Sequence, residues 1–263
     1  MNIDYNCDSF YLAIVQSKLF WEDSRANLNY FESQINSLKK AVQLIVLPET
    51  FSTGFTMNVE EYADQNDETL KWMIHQAKKN EVFLTGSVIV KEGAKYYNRL
   101  YWVNPKGAFE YYDKRHLFRM GREHESFSSG DKRVVVNLGK ARILLQICYD
   151  LRFPVFARNR GDYDIILYVA NWPTPRQLVW ETLLPARAIE NQCYVIGANR
   201  SGIDGEGEET CGGSCVVNPK GEIKTRLSAQ PGLLVSSINL EELISFRKNF
   251  PVSQDSDDFS LLL

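Results

Sequence analysis

Three chemically active side chains close three apolar runs of this chain. Glu49 ends "LIVLPE", Lys114 ends "FEYYDK" and Cys148 ends "ILLQIC". A cysteine thiol is mostly protonated at neutral pH, because its ordinary pKa is about 8.5, and the thiolate is the attacking form. A neighbouring carboxylate can take the thiol proton and later return it to a leaving amine. An ammonium beside the pair favours the thiolate and faces the oxygen that turns negative when sulfur adds to a carbonyl. The backbone N–H of Tyr149, the residue after the cysteine, is a natural second donor to that oxygen. Such a trio would form a thioester and then hydrolyse it. Singly, each residue has an ordinary explanation: a lone cysteine in an apolar run is usually packing, and a Glu or Lys at a strand end is usually solvated.

The elements that must bring them together alternate. "FYLAIVQS" (10–17) reads as a strand, and Leu28, Phe31, Ile35 and Leu38 lie on one face of a helix over 24–40. "VQLIVLPE" (42–49), stopped by Pro48, reads as a strand buried on both faces. Asp67 is placed to cap a helix carrying Leu70, Met73, Ile74 and Ala77. Strands follow at 82–90, 96–104 and 108–114, and then a polar loop (115–131) leads to a hairpin turning at Gly139. A strand at 163–173 precedes a helix over 176–192, in which Pro185 predicts a kink or break. "CYVIGANR", "GGSCVVNPKGEI" and "GLLVSSINLEELISFRKNFP" complete the pattern with strands and a last helix. With no repeat and no linker composition, residues 1–263 read as one α/β domain. Ligands in such folds bind at strand ends, where Glu49, Lys114 and Cys148 sit.

Composition limits the partners. A formal net charge of −3 and no run of five like charges argue against a nucleic-acid or anionic-membrane surface. No apolar run is long enough to span a bilayer, and the first residues lack a basic segment leading into an apolar one. Five cysteines at positions 7, 148, 193, 211 and 215 follow no disulfide framework, which suits a reducing, cytoplasmic setting. "CGGSC" (211–215) lacks the second ligand pair of a zinc site, so no metal is expected, and "GIDGEGEET" (202–210) reads as a mobile loop whose spacing does not fit calcium.

"LPETFSTGF" (47–55), "DKRHLF" (113–118) and "CYDLRFP" (148–154) resemble, in order and spacing, the three signature segments of the nitrilase, or carbon–nitrogen hydrolase, superfamily. The resemblance runs from about residue 10 to 250. It implies a four-layer α-β-β-α sandwich, with Glu49 as general base, Lys114 as the lysine facing the oxyanion and Cys148 as nucleophile. It also implies a second active-site glutamate, for which Glu123 fits better than Glu125. No cofactor is implied, and a homodimer is.

"LYVANWPTPR" (167–176), "LLPARAIENQCYVIGANR" (183–200) and "FRKNFPVSQDSDDF" (246–259) are similar to the bacterial omega-amidase group. That likeness implies hydrolysis of the terminal amide of a small 2-oxo acid, of the 2-oxoglutaramate or 2-oxosuccinamate type. Nitriles, N-carbamoyl compounds and deaminated glutathione remain alternatives within the superfamily, whereas a non-enzymatic scaffold has no need of all three reactive groups. A 2-oxo acid carries a carboxylate, for which Arg119, Arg122 and Arg176 are candidate partners. Arg152 reads instead as pairing with Asp150 or a carbonyl of its own turn. Phe118, Asn171, Trp172 and Tyr149 are candidate walls of the pocket. His116 reads as a loop-holding residue.

Overall fold

Strands that are apolar on both faces need cover on both sides, and this chain supplies it with two sheets and flanking helices. A computed structural model describes residues 8–261. The strands are β1 (Ser9–Gln16), β2 (Leu44–Val46), β3 (Phe83–Glu92), β4 (Lys95–Val103), β5 (Phe109–Asp113), β6 (Val135–Leu138) and β7 (Ala141–Ile147). They continue with β8 (Ile165–Ala170), β9 (Tyr194–Asn199), β10 (Ser201–Ile203), β11 (Glu209–Cys211), β12 (Cys215–Val217), β13 (Ile223–Arg226) and β14 (Gly232–Asn239). One six-stranded sheet runs β14-β1-β2-β3-β4-β5 and the other β13-β12-β9-β8-β7-β6, while β10 and β11 form a separate hairpin. The central neighbours β1–β2–β3 and β7–β8–β9 are parallel, and the outer pairs are antiparallel.

The helices are α1 (Ser24–Asn36), α2 (Val59–Tyr62), α3 (Glu68–Asn80), α4 (Glu123–Ser126), α5 (Pro154–Ala157), α6 (Gln177–Asn191) and α7 (Leu240–Asn249). Leu12, Ile14, Leu100, Tyr112, Ile143, Leu145 and Val169 meet between the sheets in one fully buried layer. Phe31 and Ile35 of α1 and Met73 and Ala77 of α3 cover the outer face of the first sheet. Ala157 of α5 and Trp180, Leu184 and Ala188 of α6 cover the outer face of the second. The result is the four-layer α-β-β-α sandwich.

Four local expectations need correction. The first helix stops at Asn36, and Leu38 packs from the following loop. The cap of α3 comes from Asp64: its carboxylate accepts from the Thr69 and Leu70 N–H groups, whereas Asp67 makes no side-chain cap. α6 runs unbroken through Pro185, because packing of its Trp180–Leu184–Ala188 face outweighs the lost N–H. Residues 202–210 fold as a hairpin rather than an irregular loop. There Asp204 Oδ1 accepts from the N–H groups of Glu206 and Glu208, and Thr210 bridges to Pro173. Of the cysteines, Cys148, Cys193, Cys211 and Cys215 are free thiols, and Cys7 lies outside the described residues. No helix among the described residues is long and apolar enough to cross a membrane.

Candidate active site

The reactive trio sits where strands end and the backbone turns sharply. Glu49 follows β2 and Lys114 follows β5. Cys148 opens a single 3-10 turn, Cys148–Arg152, directly after β7. Cys148 itself has φ +43°, Thr50 beside Glu49 also has φ +43°, and Arg122 beside Glu123 has φ +56°. Non-glycine residues in this region cost about 1–3 kcal/mol each and persist only where surrounding contacts hold them. Gly130 allows the polar loop to lie against the lysine strand, since a Cβ there would meet the Asp113 carbonyl oxygen at 2.2 Å.

Glu49, Lys114 and Cys148 line one cavity of about 470 Å³, together with Phe55, Phe118, Tyr149, Arg152, Asn171, Trp172 and Arg176. Lys114 Nζ donates to Glu49 Oε1 at 2.8 Å and to Glu123 Oε1 at 2.9 Å. Asn98 Nδ2 donates to Glu49 Oε1 at 2.8 Å. Glu49 Oε2 accepts from the Asn171 N–H at 2.7 Å, and the Asn171 amide donates to the Glu49 carbonyl at 2.9 Å. Glu123 Oε2 accepts from the Phe118 N–H at 2.6 Å. Glu49, Lys114 and Glu123 are all essentially inaccessible to solvent.

Burial makes these charges interdependent. It works against the Lys114 ammonium, but Glu123 and Glu49 more than compensate and raise its pKa, so it stays charged. The Glu123 carboxyl is raised by burial and by Glu49, and only partly restrained by Lys114. The Cys148 thiol is pushed well above its usual range by burial and then by Glu49; Lys114 opposes this and Glu123 adds to it. In the resting site the sulfur therefore carries its proton and needs a base to lose it.

The protein comparisons point the same way. Residues 11–248 match the carbon-nitrogen hydrolase family. This chain belongs to the carbon–nitrogen hydrolases. It is 43% identical to the omega-amidase YafV of Escherichia coli, over 95% of this chain and 98% of that protein. It is 31% identical to the 2-oxoglutaramate amidase of Bacillus subtilis, over 93% and 96% of the two chains. The crystal structure of XC1258 from Xanthomonas campestris, a CN-hydrolase superfamily protein with an arsenic adduct in its active site, superposes with a TM-score of 0.94 at 39% identity. That superposition covers 96% of this chain and 99% of the other.

In this carbon–nitrogen hydrolase several expected roles move. Glu125 faces solvent and pairs with Arg122, so neither joins the cavity, and Arg119 is exposed outside it. Arg152 does not pair with Asp150. It lines the cavity with its guanidinium 6.0 Å from the Trp172 ring centre, and Asp150 is occupied by other donors. Arg176 lies over the Phe118 ring at 5.0 Å and 3.9 Å from Glu208 of the hairpin. Phe118 packs edge-on against Tyr149 at 5.1 Å. Trp172 is largely buried, donating to the Arg176 carbonyl at 2.7 Å. Sequence reasoning missed Asn98, whose position in a strand at "YYNRL" gave only a polar residue amid apolar ones as a signal. The 202–210 stretch, read from the sequence as a loop by the pocket, brings Asp204, Glu206 and Glu208 to the cavity mouth.

Proposed function

We propose that the chain is a thiol amidase whose whole length, 1–263, serves one hydrolase domain, acting on the terminal carboxamide of a small 2-oxo acid. The observation that carries this reading is the shared cavity of Glu49, Lys114 and Cys148, and the omega-amidase and 2-oxoglutaramate amidase relatives support the substrate class. The Glu49 carboxylate, held by Lys114 and Asn98 on Oε1 and by the Asn171 N–H on Oε2, receives the thiol proton. The thiolate adds to the amide carbon, and the oxyanion faces the Lys114 ammonium and the Tyr149 N–H. The tetrahedral adduct collapses, the C–N bond breaks, and Glu49 returns its proton to the departing ammonia. Glu49 then takes a proton from water as that water adds to the thioester, and the acid leaves with the thiol restored. Glu123 is the second carboxylate that holds Lys114. At the far end of the substrate, the 2-oxo acid carboxylate faces Arg152 and Arg176, the two cavity guanidiniums.

The test is ammonia release from 2-oxoglutaramate, 2-oxosuccinamate, glutamine, a matched nitrile and an N-carbamoyl compound. The 2-oxo acid amides should turn over fastest. Faster turnover of the nitrile or the carbamoyl compound would overturn the assignment. Cys148→Ala should lose activity by at least ~10⁴-fold while remaining folded, and near-parental turnover would remove Cys148 as nucleophile. The working form is read as a cytoplasmic homodimer, which sedimentation would check.

A further inference from the structure

We infer that Asp150 is a positioning residue that locks the nucleophile's turn to the lysine-bearing strand end. It rests on the amidase reading above only for its kinetic arm. Asp150 is fully buried and does not line the cavity. Its carboxylate accepts four hydrogen bonds, about as many as two oxygens can take. Oδ1 receives the backbone N–H of His116 at 3.0 Å and its ring Nδ1 at 2.7 Å. Oδ2 receives the Tyr112 hydroxyl at 2.8 Å and the Ile147 N–H at 2.9 Å.

The placement of these donors is the argument. Tyr112, in the first sheet's edge strand β5, stands two residues before Lys114, and His116, in the bend that follows β5, two residues after it. Ile147 immediately precedes Cys148, on the second sheet. One carboxylate thus grips both flanks of the ammonium-bearing residue and the backbone leading into the thiol. The His116 ring cannot offer a lone pair to a carboxylate, so Nδ1 carries the proton. The ring is fixed by stacking on Phe153 at 3.8 Å with planes 7° apart. The Tyr112 hydroxyl, while donating to Asp150, accepts the Arg115 N–H at 3.0 Å, so its direction is set as well. Asn171 joins Glu49 to the second sheet. Asp150 does the same for Lys114 and Cys148, and holds the left-handed conformation of Cys148 from behind.

A neutral amide at 150 cannot accept from all four donors, so the turn must shift. A displacement near 1 Å in a reacting group costs roughly 100-fold in rate. Asp150→Asn should therefore lower kcat roughly 100-fold with KM nearly unchanged. Tyr112→Phe, which removes one donor, should lower it by roughly tenfold at full folding. Both should also slow alkylation of Cys148 by iodoacetamide at pH 7.5, a readout that needs no substrate. Variants that melt earlier yet keep the parental kcat and alkylation rate would overturn the inference and leave Asp150 a structural residue. Should Asp150→Asn fail to fold, Tyr112→Phe decides alone on the same two readouts. Should the parental enzyme turn over none of the amides, the amidase reading falls, and the alkylation rates still judge Asp150.

Discussion

The two sheets of this hydrolase are built to one plan and put to different use. Taken as β14-β1-β2-β3-β4-β5 and β6-β7-β8-β9-β12-β13, their neighbours pair in the same sequence: antiparallel, parallel, parallel, antiparallel, antiparallel. The strand-end residues differ. The first sheet delivers charge, Glu49 after β2 and Lys114 after β5. The second delivers a thiol and an amide, Cys148 after β7 and Asn171 after β8. At the position matching Cys148, the end of β1, stand Gln16 and Ser17. Gln16 donates to the carbonyls of Ser228 and Gln230 and accepts the Ser214 N–H, a wholly structural task. A repeated scaffold thus carries unrepeated chemistry, and the site exists only where the two sheets meet.

The opposite ends of the same strands show what structural duty alone looks like. Arg142 at the start of β7 and Arg247 of α7 both hold Asp164, just ahead of β8, at 2.9 and 2.7 Å. Burial works against the Asp164 charge, yet hydrogen bonding and attraction from Arg142, with Arg247, hold its carboxyl below the usual range.

The contrast between the sheets can be broken in graded steps. The largest effect after loss of the thiol is expected from the charged sheet. Glu49→Gln cannot accept the thiol proton and should lower kcat/KM by about 10²–10⁴-fold; an unchanged rate would remove the base from that sheet. Asn171→Ala removes the side-chain bonds across the sheets but keeps the N–H to Glu49, and should cost about tenfold in kcat, measured as ammonia release. At the far ends, Arg247→Gln should leave kcat unaltered and cost about 1–3 kcal/mol of stability by urea titration at pH 7. The folded-state pKa of Asp164 is depressed, so its contribution is present above the unfolded value, about 3.9, and is lost as pH falls through the lower folded value. The destabilisation by Arg247→Gln should accordingly shrink below that range to what its bonds to the Gln192 and Tyr163 carbonyls contribute. Smallest of all is Ser17→Ala. The buried Ser17 hydroxyl has no hydrogen-bond partner among the described residues, so its removal should shift stability by less than about 0.5 kcal/mol and spare activity. A catalytic defect there would break the contrast between the two matching strand ends.

Much of this was legible in the sequence. Glu49, Lys114 and Cys148 each end an apolar run with a polar group, which alone leaves an ordinary explanation for each; the three ordered segments that resemble the carbon–nitrogen hydrolase signatures single them out. The run "IILYVA" is fully buried as its unbroken apolarity implies. What the sequence could not show were choices decided by distant partners. Asp64 rather than Asp67 caps α3 because Asp67 is turned into a left-handed conformation. Arg152 faces the cavity because Tyr112 and His116, more than thirty residues upstream, already occupy Asp150. The acidic, glycine-rich 202–210 stretch reads as a loop, but the Asp204 turn and the Pro173–Thr210 bridge shape it into a hairpin beside the pocket.

Glu49 is held in place by Asn171, 122 positions further along the chain. During synthesis Glu49 therefore emerges long before Cys148, and Cys148 before the residue that holds Glu49. A nascent chain that stops short of residue 171 has the thiol without the amide that holds Glu49, so the grouping of Glu49, Lys114, Cys148 and Asn171 waits on strands of both sheets.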